Sequence, residues 1–215
     1  MKTEILFLRH GESAGNLYKI FAGHYDVELT ERGVLQAKAA AKFLVGQGID
    51  AIYSSDLTRA YQTALEVSRA TKVEISSCSE KLREINVGIY DGVKREIITE
   101  KYDKDFDLYF TSEFGVYSFP EGETTLEAGE RFLSETIRLA KMNPNKRILI
   151  AAHAGVIRSL WGIISSVDRE SLGSRIPFAT NASLSYAEFD GEKIIPKEYS
   201  RSDYLSEIGF IKYSV

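Results

Sequence analysis

The chain has 215 residues, of which 44 % are hydrophobic, and a formal net charge of −4 at pH 7. This length and composition favour one globular domain with a substantial core and exclude a disordered chain. The acidic balance argues against a nucleic-acid or membrane-surface binder, whose footprint is basic. The single cysteine, Cys78, excludes an intrachain disulfide framework and favours a reducing compartment, so we expect a cytoplasmic protein.

The first predicted element is a buried strand at residues 5–8, where four consecutive apolar residues are too few for a buried helix. The run is also too short for a signal-peptide core or a membrane span. It stops at Arg9, His10 and Gly11, which offer a phosphate-matching guanidinium, an imidazole that titrates near neutrality, and close backbone approach to a ligand. Taken alone, an Arg and a His after a strand are more often surface residues than a functional site.

Helices and strands then alternate along the chain, as periodicity and capping residues indicate. In order, we predict a short helix at 13–18, a helix between Thr30 and Gly46, a strand at 51–53, a helix at about 57–70 and a strand at 73–76. A glycine-punctuated loop at 82–92 leads into a helical and loop excursion at about 93–122, which is rich in Tyr and Phe.

The second half continues the same alternation. Thr124 and Glu127 form a capping box for a helix to about residue 140, followed by a buried strand at 147–152 and an apolar helix at 156–164. Two strands around Asp190 and Gly191 form a hairpin. The pattern predicts a single domain over residues 1–215, an α/β fold built as a three-layer α/β/α sandwich with a central, mostly parallel sheet.

Two of the buried strands end in a similar way, because the strand at 147–152 runs directly into His153, Ala154 and Gly155. Ligands bind beyond the carboxyl ends of strands in open α/β sheets, and the helix N-termini that follow favour an anion. A third strand, at 51–53, leads into a helix whose first turns carry Arg59. If these strands are neighbours, two histidines and two arginines converge on a site suited to a tetrahedral dianion.

Phosphoryl transfer at such a site needs two kinds of group. A histidine that attacks phosphorus must be neutral, and we expect Arg9 and Arg59 to lower its pKa. A carboxyl group must protonate the leaving oxygen and then activate water. The candidate acids on loops are Glu12, Glu84, Glu121 and Glu123. Glu84 is the best placed, just after the predicted third strand, although a solvated loop acid fits the sequence equally well.

Four motifs, in this order, resemble the histidine phosphatase superfamily, the phosphoglycerate-mutase-like proteins: LFLRHGES with a following Asn, SSDLTRAYQTA, LREINVGIYDG and AAHAGVIR. The resemblance covers residues 5 to about 158. It implies that His10 is the phosphorylated nucleophile and Glu84 the general acid and base, with no metal or cofactor. The residues that it assigns to phosphate binding are Arg9, His10, Asn16, Gly23, Arg59, His153 and Ala154, of which Arg9, Arg59 and His153 also act in catalysis.

Two positions depart from the family's pattern. Before Gly23 the family often has a hydroxyl or amide that touches the phosphate, and this chain has Ala22. The missing donor should weaken phosphate binding by about 1 kcal/mol, as for one hydrogen bond. His24 stands where an aromatic residue is common, and we expect it at the pocket rim or in a loop.

The favoured function is a phosphatase of the histidine acid phosphatase type that acts on a small phosphorylated substrate. A cofactor-dependent phosphoglycerate mutase is the alternative. Mutases usually carry a longer insertion with basic residues after the acid motif, a pattern that LREINVGIYDGVKREII lacks, whereas PEGETTLEAGERF resembles a phosphatase-type helix entry. A catalytically inactive phosphate-binding protein is less favoured, because every core catalytic position is present.

The aromatic excursion and the oligomeric state stay open at this point. The excursion, which includes Tyr109 and Phe110, either covers the pocket and sets specificity or forms a small satellite core. If it covers the pocket, alanine at either position should change the ranking of substrates. The sequence is silent on oligomerisation, a homodimer included.

Overall fold

The computed structural model describes residues 2–102, 117–166 and 176–206. Its strands are β1 (Thr3–Arg9), β2 (Ile20–Phe21), β3 (Ala51–Ser55), β4 (Ile75–Ser79), β5 (Val93–Lys94), β6 (Arg147–Ala152), β7 (Leu184–Phe189) and β8 (Ile194–Arg201). Its α-helices are α1 (Ala14–Leu17), α2 (Glu31–Leu44), α3 (Thr58–Thr71), α4 (Arg95–Ile97), α5 (Thr125–Met142) and α6 (Ala154–Ile164). Single helical turns lie at Glu80–Leu82, Gly88–Tyr90, Ile98–Tyr102 and Asp203–Leu205.

Six of these strands form one sheet in the order β4–β3–β6–β1–β7–β8. The first four are parallel to one another, and β7 and β8 are antiparallel additions beside β1. In this register Arg9 lies opposite Ala152, so β1 and β6 end level with each other. The predicted mostly parallel central sheet is therefore confirmed.

Alternate side chains of the central strands pack into two separate hydrophobic cores, one on each face of the sheet. Ile5 and Phe7 of β1 join the core beneath α5 and α6, whereas Leu8 joins the core beneath α2 and α3. Helices therefore cover both faces, and the predicted three-layer arrangement is confirmed. In the described ranges no helix combines the length and the apolar composition that crossing a membrane requires.

The predictions fail mainly where an element is short or lies at an edge. The edge strand β4 begins two residues later than the predicted strand, because its pairing with β3, and not its own alternation, sets its position. Cys78 on this strand is exposed. The two-residue strands β2 and β5 pair with each other and were not predicted, since two residues carry no period.

Two described aromatic residues of the excursion belong to the core, whereas Lys94, Arg95, Glu96, Thr99 and Glu100 near its start line the cavity described below. Tyr117 and Phe119 are buried in the core beneath α5 and α6, and Phe119 packs on Phe21 with ring centroids 5.6 Å apart. Tyr102 is exposed. Tyr109 and Phe110 lie outside the described residues, so the proposed role of that stretch in specificity stays a prediction.

Candidate active site

The ends of three neighbouring strands assemble the candidate site. His10 directly follows β1, and its backbone N–H donates to the carbonyl of Ala152, the last residue of β6, at 3.0 Å. His153 follows β6 immediately, and the two imidazole rings lie 5.2 Å apart between centroids. Strand β3 adjoins β6 on the other side and leads into α3. The structure thus brings together the strand ends that the sequence singled out.

Arg59 lies on the first turn of α3 and is buried. Its guanidinium donates to the carbonyls of Tyr25, at 3.1 Å, and Gly23, at 2.7 Å, and so ties the loop after β2 to this helix. Gly23 has a φ of +44°, and an added Cβ would lie 2.1 Å from a carboxylate oxygen of Asp91. Only glycine therefore fits at this point of the loop.

Arg9 and Asn16, two more of the residues predicted to bind phosphate, line the same cavity. The buried Arg9 donates to the carbonyl of Ala179. Asn16 forms a capping box with Ser13 at α1, and its amide oxygen accepts from Asn181 at 3.0 Å. These bonds place both side chains at the floor of one cavity.

The loop that carries His10 is held by close backbone packing against α2. A Cβ on Gly11 would meet the carbonyl oxygen of Gly33 at 2.3 Å, so the two backbones approach as closely as glycines allow. Glu12 is buried and binds Thr30 and Arg32. One of the four candidate acids is therefore committed to anchoring this loop.

The hydrogen bond of His10 decides which ring nitrogen carries the lone pair. Nδ1 lies 2.6 Å from the carbonyl oxygen of Gly11. Because a carbonyl oxygen only accepts, Nδ1 bears the proton, and Nε2 carries the lone pair. Burial, followed by Arg59 and Arg9, holds the pKa of His10 well below its ordinary value. The expected direction of the pKa is right, but burial contributes more than the arginines.

His153 lies behind His10 and is fully buried. Neither of its ring nitrogens has a hydrogen-bond partner within the described ranges. Burial and then Arg59 lower the pKa of His153 well below its ordinary value, so this ring is neutral as well. Of its neighbours, Ala154 lines the cavity and His153 is not among the described lining residues. Phosphate contact by His153 stays a prediction.

Glu84 is the candidate acid that lies on the cavity wall. Its Oε2 accepts from the N–H of Gly155 at 2.9 Å and its Oε1 from that of Val156 at 3.0 Å. The N-terminus of α6, which the sequence offered to a substrate anion, is thus occupied by the protein's own carboxylate. Glu121 is exposed in a turn, and Glu123 forms an ion pair with Arg131. Among the four candidates, only Glu84 is a described lining residue.

The cavity has a volume of about 780 Å³, with buried cationic side chains at one part, its floor, and exposed side chains at its mouth. Buried Arg9, His10 and Arg59 lie at the floor. The mouth carries apolar and charged side chains together: Leu17, Tyr18, Lys19, Lys94, Arg95, Glu96, Glu100 and Phe178. The buried positive charge suits a small anion at the floor, and the volume leaves room for the larger part of an ester towards the mouth.

The chain matches the family model of the histidine phosphatase superfamily, branch 1, over residues 5–201. It belongs to this superfamily. Phosphoserine phosphatase 1 of Hydrogenobacter thermophilus is 31 % identical over 166 residues, which cover 77 % of this chain and 78 % of the relative. A 2,3-bisphosphoglycerate-dependent phosphoglycerate mutase of Methanococcus vannielii is 28 % identical over 237 aligned residues, with 97 % of both chains covered.

Among solved structures, Bacillus stearothermophilus YhfR has the same fold, with a TM-score of 0.88 and 25 % identity over 95 % of this chain and all of that chain. The superfamily members similar to this chain therefore include both phosphatases and mutases. Membership establishes the fold and is compatible with either reaction.

Asn181 also touches the site directly, although no motif in the sequence pointed to it. The side-chain amide of Asn181 donates hydrogen bonds to the backbone carbonyl of His10, at 3.3 Å, and to Oδ1 of Asn16, at 3.0 Å. It precedes β7, which runs antiparallel to β1, so the amino end of β7 lies beside the carboxyl end of β1. Sites in α/β sheets lie at the carboxyl ends of the parallel strands. Where an antiparallel strand joins the sheet, its amino end lies at the same edge and can also contribute residues to the site.

Proposed function

We propose that this protein is a phosphomonoester hydrolase that works through a phosphohistidine at His10, with Glu84 as general acid and base. The observation that carries the proposal is the neutral His10, whose Nδ1 proton is committed to Gly11 while the ring lines a cavity floored by Arg9 and Arg59. A neutral imidazole is a competent nucleophile, and the two guanidinium groups offset the charge of the phosphoryl group.

In the first step, Nε2 of His10 forms a bond to phosphorus while the bond between phosphorus and the ester oxygen breaks. The leaving oxygen takes a proton from the Glu84 carboxyl group. Among the described residues, Oε2 of Glu84 accepts one N–H bond, from Gly155, which leaves it room for that proton.

In the second step, the Glu84 carboxylate takes a proton from water, and the resulting hydroxide oxygen attacks phosphorus. The bond between phosphorus and His10 breaks, phosphate leaves, and both residues return to their starting states. The same carboxyl group serves as acid and then as base, as microscopic reversibility requires.

Hydrolysis is favoured over a mutase reaction because the mouth of the cavity is exposed. A mutase must keep its phosphohistidine from water, whereas Leu17 and Tyr18 at this mouth are 50 % and 61 % exposed. Lys19, Lys94 and Arg95 do line the mouth, but Glu96 and Glu100 lie among them. The cavity entrance is therefore not the strongly basic one expected for a bisphosphorylated cofactor.

The test is phosphate release from a panel of phosphomonoesters that includes phosphoserine and 3-phosphoglycerate, with and without 2,3-bisphosphoglycerate. We expect the wild type to release phosphate and His10→Ala to lose this activity. A phosphorylated wild-type intermediate trapped by rapid quench in alkali, where phosphohistidine is stable, and absent from the variant, would support the covalent step. Interconversion of phosphoglycerates with little free phosphate would instead identify a mutase.

A further inference from the structure

Arg131 on α5 makes a two-pronged ion pair with Glu123. Nε of Arg131 lies 2.8 Å from Oε1 of Glu123, and Nη2 lies 2.9 Å from Oε2. The two side chains are only 20 % and 23 % exposed. This fork geometry is specific to arginine, since the ammonium group of lysine cannot donate in parallel to both carboxylate oxygens in a fixed plane.

The same guanidinium also binds the chain that leads to Glu84. Nη1 donates to the carbonyls of Lys81, at 2.9 Å, and Arg83, at 3.1 Å. Nη2 donates to the carbonyl of Glu84 itself, at 3.1 Å. One side chain therefore spans the backbone on the amino side of Glu84 and holds three carbonyl groups at fixed positions.

Glu123 fixes the backbone on the other side. Its Oε2 accepts from the N–H of Asn86 at 3.0 Å, and its own N–H donates to the carbonyl of Asn86 at 2.8 Å. Burial raises the pKa of Glu123, but the bonds from Arg131 and Asn86 more than offset this, and the net pKa lies below its ordinary value. Glu123 is thus a carboxylate at neutral pH, as the fork with Arg131 requires.

His24 contributes the remaining contact to the Glu84 peptide. Its Nε2 lies 2.9 Å from the Glu84 carbonyl oxygen, so both lone pairs of that oxygen are engaged, one by His24 and one by Arg131. The carboxylate of Glu84 is meanwhile bound at the N-terminus of α6. The backbone and the carboxylate of one residue are therefore anchored by three different parts of the fold.

We propose that Arg131 and Glu123 are positioning residues for the general acid, holding the backbone from Lys81 to Asn86 so that the Glu84 carboxyl group reaches the leaving oxygen. This inference rests on the proposed role of Glu84. Neither Arg131 nor Glu123 is a described lining residue of the cavity, so both act through Glu84 and not on the substrate. A displacement of about 1 Å at a reacting group costs roughly 10²-fold in rate, so a loosened loop should be visible in kinetics.

The experiment compares kcat/KM for alkyl phosphates, which have poor leaving groups, with kcat/KM for aryl phosphates such as p-nitrophenyl phosphate. General-acid assistance matters most when the leaving oxygen is basic. We expect Arg131→Lys and Glu123→Gln to lower kcat/KM for alkyl phosphates by roughly tenfold or more, and to lower it far less for p-nitrophenyl phosphate. If the two residues had a merely structural role, the substitutions would lower kcat/KM equally for both classes of substrate.

The chain supplies a matched control on the same helix. Arg138 makes a two-pronged ion pair with Glu135, with both N–O distances at 2.8 Å. Among the described residues, it donates no hydrogen bond to the loop from Lys81 to Asn86. Arg138→Lys should leave the ratio between the two substrate classes at its wild-type value. Thermal melting of each variant checks that the fraction assayed is folded.

Glu84→Gln separates this inference from the proposed function. A selective loss on alkyl phosphates in Glu84→Gln, without one in folded Arg131→Lys and Glu123→Gln, would overturn the positioning role alone. Equal losses on both substrate classes in Glu84→Gln would overturn Glu84 as the general acid. If Arg131→Lys fails to fold, Glu123→Gln decides, because it keeps the size of the side chain and removes its charge and one of its two acceptor oxygens.

Discussion

Gly155 controls the place of the Glu84 carboxylate at the scale of a single residue. A Cβ at position 155 would lie 2.5 Å from Oε1 of Glu84 and 2.9 Å from Cδ1 of Ile85. Both atoms are at the ends of side chains, so they can move without a shift of the backbone. A methyl group here should therefore displace the carboxylate and leave the fold intact.

We predict that Gly155→Ala lowers kcat/KM on alkyl phosphates by roughly 10- to 100-fold while stability is kept or slightly raised. The loss follows from the misplaced acid. Alanine favours a helix over glycine by up to about 1 kcal/mol, which offsets the crowding. Steady-state kinetics and urea unfolding measure the two effects.

Gly129→Ala is the control for this prediction. A Cβ there would meet Cδ1 of Ile163 at 2.9 Å, a comparable crowding between α5 and α6 but away from the cavity. This variant should change stability and leave kcat/KM near the wild-type value. Full activity in Gly155→Ala would show that the carboxylate does not need the place that the structure gives it.

At the scale of elements, α3 depends on a residue outside the helix for its cap. Leu57 at the N-cap position has no side-chain acceptor. Asp26 takes over, accepting from the backbone N–H of Thr58 at 2.8 Å and from its hydroxyl group at 2.6 Å. The cap therefore also joins the loop of Gly23 to the helix that carries Arg59.

We predict that Asp26→Ala costs about 1 kcal/mol of unfolding free energy, the usual value of a lost cap. It should also raise the inhibition constant of inorganic phosphate, because the contacts between Arg59 and the loop lose their anchor. Asp190→Ala removes a similar local acceptor, for Glu192 and Lys193 in the hairpin between β7 and β8. Asp190→Ala should lower stability without weakening the binding of inorganic phosphate. Equal inhibition constants of phosphate in the two variants would refute the link between the α3 cap and the contacts of Arg59.

For the whole molecule, the two buried neutral histidines make stability depend on pH. The folded-state pKa of both His10 and His153 lies well below the ordinary value of about 6.5. The unfolded chain then binds more protons than the folded one below about pH 6.5. Stability from this source is fully present above that pH and is lost as the pH falls towards the folded-state values.

We predict that the unfolding free energy decreases as the pH is lowered from about 6.5 to 5. Each of the two histidines contributes up to about 1.4 kcal/mol per pH unit to this decrease. His153→Gln should reduce that slope by up to the contribution of one histidine, whatever its effect on absolute stability. Urea unfolding at a series of pH values measures both slopes. Parallel curves for wild type and variant would mean that His153 takes up its proton in the folded state.

The sequence alone determined the architecture and most of the floor of the site. Buried strands show as apolar runs, and their ends show as abrupt changes to Arg9-His10-Gly11 and His153-Ala154-Gly155. The parallel order of an α/β sheet then places such ends at one edge, as β3, β6 and β1 do. These features are local in the chain, so periodicity and residue chemistry were enough to find them.

Only the tertiary structure decided which acid faces the cavity and what holds it there. Glu12, Glu84 and Glu123 are all loop acids in the sequence, yet Arg32 binds the first, the N-terminus of α6 the second, and Arg131 the third. The place of Asn181 likewise depends on β7 running antiparallel to β1. Each of these contacts joins residues that are distant along the chain, and no local pattern encodes such a contact, because packing of the whole fold sets it.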